Sequence, residues 1–120
     1  MAHLGLLLFV SPIQHRAPVL ASIFARAASA EGHRVTFFLL GDGVYNSSRA
    51  LAESSPENPV RLLAELPDSV TMINCSTCAR FRGLEDADLL PRARNGTLED
   101  LTDLLEQTDR FLTFAQEGFP

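Results

Sequence analysis

Leu4 to Val10 is a short, nearly continuous apolar run, the pattern of a parallel strand buried on both faces. Ser11-Pro12 breaks it. Pro18 to Ala30 is then Ala-rich, with Leu20, Ile23, Phe24 and Ala27 at helical spacing, and Gly32 supplies a C-terminal stop. Val35 to Leu40 is a second apolar run, rich in β-formers and closed by Gly41-Asp42-Gly43. Strand, helix and strand in this order predict a right-handed βαβ unit.

The stretch from Tyr45 to Pro59 is the least regular, with Ser47, Ser48, Ser54, Ser55, Pro56 and Pro59. It reads as a loop with one helical turn at most, a candidate lid or contact surface. Val60 to Leu66 predicts a short helix before Pro67. Val70 to Asn74 predicts a third strand that runs directly into Cys75-Ser76-Thr77-Cys78, and a helix follows through Arg82 to Gly83. Asn95-Gly96 is a turn signal, and Thr97 with Asp100 three residues on resembles a capping box. Leu98, Leu101, Leu104 and Leu105 then mark one face of a helix reaching Gln107, before Arg110 to Ala115 returns to strand composition. The alternation predicts a single domain over residues 1–120, a three-layer α/β/α sandwich around a mostly parallel sheet.

Composition narrows the function. The chain of 120 residues is 46% hydrophobic and 21% charged, as in an ordinary globular protein, with a net charge of −5. All ten basic residues are scattered arginines, so the footprint of a nucleic-acid binder is missing. No segment reaches the roughly eighteen apolar residues of a membrane span. The N-terminus lacks the positive start of a secretion signal, and a cytoplasmic location with reduced thiols is expected.

With only two cysteines, the expected chemistry is reactive rather than a disulfide scaffold. Cys75 falls at a predicted strand-to-helix junction, where reactive groups gather in open α/β sheets. A helix start and the nearby Arg80 and Arg82 would favour thiolate over thiol, and the thiolate is the nucleophile. The competing reading is a buried cysteine acting as a small apolar side chain. Zinc would need His3, His15 or His33 beside the cysteine pair, and none has a paired spacing, so no metal is predicted. His15, in the loop after the first strand, is the one histidine with a route to the cysteines. Gly41-Asp42-Gly43 is too short for a phosphate loop, and no cofactor is expected. Glu85, Asp86 and Asp88 read as a solvated face.

Gly43-Val44-Tyr45-Asn46, then Asn74-Cys75 with Arg82-Gly83, then Asp109-Arg110-Phe111-Leu112-Thr113-Phe114 resemble, in order, characteristic segments of the DsrE/TusD family of sulfur-relay proteins. The resemblance implies a DsrE-like sandwich of flavodoxin-like topology. It also implies a sulfurtransferase that receives sulfur as a persulfide on Cys75 and hands it to a protein acceptor thiol, in sulfur oxidation or tRNA thiolation. Implied partners are a TusA-like carrier, a rhodanese, or a DsrC- or TusE-like acceptor. A trimer or hexamer is also implied, with identical or homologous subunits. Tyr45 and Asn46 are expected to shape the rim of the site, with half-buried packing the equal alternative for Tyr45.

The chain departs from TusD-like members at Cys78, where alanine or another non-thiol residue is common. Cys78 is read as an assistant that attacks a Cys75 persulfide, holds the sulfur as a trisulfide, or packs into the helix. Two other classes stay open: a thiol–disulfide oxidoreductase using Cys75 and Cys78, and a non-catalytic subunit of a relay complex.

Overall fold

Five strands form one sheet with every neighbouring pair parallel. They are β1 (His3–Leu8), β2 (Arg34–Leu39), β3 (Val70–Cys75), β4 (Ala93–Gly96) and β5 (Arg110–Phe114), in the order β4-β3-β2-β1-β5. The structure, a computed structural model, describes residues 1–115. The helices are α1 (Ala17–Ala30), α2 (Arg49–Ser54), α3 (Val60–Ala64), α4 (Ser76–Phe81) and α5 (Leu98–Gln107). The layered α/β/α architecture is the one expected. The strand order is not the flavodoxin order 2-1-3-4-5, because the chain steps from β1 to β4 without reversing and turns back only once, to β5.

That path decides what covers each face. Right-handed crossovers that all step the same way put their helices on the same face. Accordingly Ala21 and Ala25 of α1, Ala52 of α2, Val60 and Leu63 of α3 and Ala79 of α4 share one core with Leu6, Leu8, Val35, Phe37, Leu39, Val70 and Met72. The return from β4 to β5 runs the other way, so the same handedness sends α5 to the opposite face. There the buried cluster is small: Phe38, Cys75 and Leu104, flanked by Leu7, Ile73, Leu101 and Phe111.

Three elements differ from the sequence reading. Helix α1 buries its small residues, Ala17, Ala21, Ser22, Ala25 and Ala28, while Leu20 and Ile23 are 56% and 59% exposed. The alanine stripe lets the helix lie close to the bulky side chains of β1 and β2. Within Tyr45–Pro59, a 3-10 segment (Gly41–Ser47) leads into α2, whose start is capped by Ser48 accepting the Leu51 N–H at 3.2 Å. The serine that suggested a loop is a helix cap. Finally, Asn95-Gly96 ends an edge strand, with Asn95 opposite Asn74 and Gly96 opposite Cys75. The Thr97–Asp100 capping box is present, with Asp100 accepting the Thr97 N–H at 2.8 Å. Among the described residues no helix is long and apolar enough to cross a membrane.

Candidate functional site

Cys75 is the last residue of β3 and Cys78 lies one turn into α4, so both sit at the carboxyl end of the parallel sheet. Cys75 points to the α5 face, packed against Phe38 and Leu104, and is 7% exposed; Cys78 is half-buried. The two thiols are free, and Cys78 packs against the cluster that contains Cys75.

The neighbouring strand supplies the rest of the site. After β2 the chain turns at Gly41, whose φ of +58° is a left-handed conformation that favours glycine. The Gly41 N–H acts to pull the Cys78 thiol pKa down. Asp42, next along, accepts a hydrogen bond from Arg82 Nε at 2.8 Å. Arg82 also donates from a terminal nitrogen to the Cys78 carbonyl at 3.0 Å. Gly43 then passes so close to β1 that a Cβ would stand 2.0 Å from the Leu8 carbonyl oxygen. Gly41-Asp42-Gly43 is therefore a wall of the thiol site.

Beneath this wall runs a buried polar network. Asn46 donates to the carbonyls of Val10 and Gly43, both at 2.9 Å. Ser47 donates to the Val44 carbonyl at 2.7 Å and accepts from the Asn74 amide at 2.9 Å. Asn46 and Asn74 are fully buried. Asn46 thus differs from the rim residue expected: it ties the β1–α1 loop to the 3-10 segment from below. Tyr45 is half-buried.

Cys78 is held toward its protonated form. Burial pushes its pKa above the ordinary thiol value; hydrogen bonding and charge at Cys75 add to this, and the Gly41 N–H and Arg82 pull down without offsetting it. Helix α4 spans six residues, less than two turns, so its dipole is small. Arg82 is at the site, and its pairing with Asp42 raises its own pKa. Arg80 is exposed and makes no side-chain hydrogen bond or ion pair among the described residues.

The histidines divide between the two ends of the sheet. His15 follows β1 at the cysteine end. His3 Nε2 pairs with Thr36 Oγ1 at 2.8 Å and His33 Nδ1 accepts the Ala2 N–H at 3.0 Å, both at the amino end. A cleft of about 450 Å³ opens there between α5 and the sheet, lined by His3, Thr36, Thr71 and Gln107 among others. Among the described residues no three His, Cys, Asp or Glu side chains are grouped to hold a metal ion.

Sequence reasoning missed Asp42, the Gly41 amide, Ser47 and the buried role of Asn74. The signal was topological. A turn leaving the carboxyl end of β2 must stand beside whatever leaves the carboxyl end of its neighbour β3.

Residues 4–114 match the model of the DsrE/DsrF-like family. This chain belongs to that family. The sulfur-relay resemblance read from its motifs is thereby borne out. It is 30% identical over 119 residues to the "Putative sulfurtransferase DsrE" of Allochromatium vinosum, covering 87% of this chain and 92% of that one. It is 33% identical over 95 residues to a TusC homolog of Vibrio parahaemolyticus, covering 73% and 78%. An uncharacterized protein of Methanocaldococcus jannaschii is 33% identical over 92 residues, covering 76% and 81%. In fold, the chain is similar to the ychN protein of E. coli, with a TM-score of 0.83 and 23% identity over 95% of this chain and all of that one.

Proposed function

We propose that this DsrE-family chain is a sulfurtransferase that carries sulfur as a persulfide on Cys75, with Cys78 assisting, and passes it to the thiol of a protein acceptor. The observation that carries this reading is the pair of neighbouring free thiols at the carboxyl end of the sheet, with Arg82 bonded to the Cys78 carbonyl. In the accepting step the Cys75 thiolate attacks the outer sulfur of a donor persulfide. A new S–S bond forms on Cys75, the donor S–S bond breaks, and the donor leaves as a thiolate. Passing the sulfur on is the same exchange in reverse, with the acceptor thiolate as nucleophile.

The division of labour follows exposure. Cys78 is the more open thiol and assists, and Cys75, 7% exposed against Phe38 and Leu104, shelters the stored sulfur from solvent. The donor and acceptor fitting this role are a TusA-like carrier or a rhodanese on one side and a DsrC- or TusE-like protein on the other. Work in the cytoplasm and assembly with like or homologous subunits belong to the same proposal.

The test is intact mass after exposing the reduced protein to polysulfide or to a persulfidated rhodanese. A gain of ~32 Da, reversed by reductant and absent in Cys75→Ser, is expected. Uptake that survives Cys75→Ser but not Cys78→Ser would reverse the two roles. A second reading, a thiol–disulfide oxidoreductase, draws on the packing of Cys78 against the cluster that holds Cys75. It would be favoured by a loss of two hydrogens without sulfur gain, together with turnover in insulin reduction.

A further inference from the structure

The two-residue turn Gly41-Asp42 bears on the thiol site twice. Its amide pulls the Cys78 thiol pKa down, and its carboxylate holds the guanidinium that is anchored on the Cys78 carbonyl. Arg82 is thus tied to the Cys78 main chain by one bond and occupied by an acid through the other. Asp42 is 59% exposed and Arg82 26%. An ion pair so open to water is weak, so Asp42 can turn to solvent at little cost. The anchor on the Cys78 carbonyl meanwhile keeps the guanidinium in place.

We propose that Arg82 is a positioning residue for the Cys78 sulfur: paired with Asp42 while that thiol is protonated, it exchanges the carboxylate for the sulfur once the thiolate forms. Asp42 thereby sets the threshold at which the site ionises. The inference rests on the sulfur-carrier reading for its purpose, but its chemistry involves only loss of the S–H proton to solvent. The exchange needs no change of fold.

The charged and titratable groups around Cys78 are few. Cys75 comes from β3, Arg82 from α4 itself, and Asp42 from the 3-10 segment; Tyr45 of that segment bears on Arg82. Helix α5 contributes Leu101 and Leu104. Arg82 is therefore the cation bearing on the sulfur, opposed by burial, which keeps the resting thiol protonated.

The experiment is iodoacetamide labelling of the full chain across pH, with the label at Cys78 resolved from that at Cys75 by fragment mass. Asp42→Asn should lower the Cys78 midpoint by roughly 0.5–1 pH unit, and Arg82→Gln should raise it by a similar amount. Adding Asp42→Asn to Arg82→Gln should then change nothing further, and Arg82→Lys should keep much of the wild-type midpoint. An equal shift from Asp42→Asn with or without Arg82 would overturn the proposal, because Asp42 would then act on the sulfur directly. So would an Arg82→Lys midpoint as high as that of Arg82→Gln, in a chain whose far-ultraviolet circular dichroism matches wild type. Polysulfide uptake by mass is scored separately: labelling shifts as expected without sulfur gain would refute the carrier reading and leave the exchange standing.

Discussion

The two faces of the sheet are built differently. One is covered by α1, α2 and α3 and holds a broad apolar core running from Leu6 and Phe37 to Val70 and Met72. The other is crossed by α5 alone, and its buried cluster is three residues, one of them Cys75. Strands sit about 4.8 Å apart and a helix is about 10 Å wide, so one helix cannot roof five strands. The difference teaches where this protein keeps stability and where it keeps chemistry. Cys75 stands on the lightly covered side, where a partner can approach without opening the main core, and Cys78 borders both clusters.

The comparison breaks first at Phe37, the large fully buried side chain in the middle of the broad core. Phe37→Ala should lower the unfolding free energy by about 3–5 kcal/mol in urea titration. If that loss were no greater than for Leu104→Ala, the two faces would be energetically alike. Leu104→Ala, on the lean face, is expected to cost about 2–3 kcal/mol. It should also speed alkylation of Cys75 several-fold, since Leu104 is part of the cluster that covers that thiol; an unchanged rate would mean that α5 does not control access.

The smallest effect lies at the entry to α5. Asp100 accepts from the Thr97 N–H and pairs with Arg94 at 3.0 Å. Hydrogen bonding from Arg94, then from Thr97, holds its carboxyl below the usual range. Its contribution is therefore present above the pKa of an unfolded aspartate and is lost as pH falls through the lower folded value. Asp100→Asn should cost about 0.5–1 kcal/mol at neutral pH and flatten that part of the acid limb. An acid limb identical to wild type would exclude Asp100 from the cap energetics.

Much of the architecture was legible because the broad core announces itself. Leu4–Val10, Val35–Leu40 and Val70–Asn74 are apolar on both faces, and only central parallel strands need that. Strand β4 was not legible, because an edge strand four residues long can carry Arg94 and Asn95 and end at a glycine. Helix α1 was found but turned the wrong way: periodicity weighs Leu20 and Ile23 by hydrophobicity, whereas packing against Phe37 and Leu39 favours the small Ala21 and Ala25. At the site, Cys75, Cys78 and Arg82 were readable from spacing, and Arg80 was taken along with them although its side chain is exposed. Asp42 was invisible for a different reason: its partner Arg82 is 40 residues away, and only the strand order makes them neighbours.

The single reversal in the strand path also sets an order of events in time. Strand β5 pairs with β1, and the His3 amide donates to Asp109 across 106 positions of sequence. Until the last strand is made, β1 has no partner along that edge. A chain emerging from the ribosome can complete β1 through β4 with their helices early. The edge beside β1 and the face above Cys75 close only when α5 and β5 arrive. The thiol-bearing side is therefore the last to be assembled, and an interrupted chain would present it open, with an unpaired strand edge beside it.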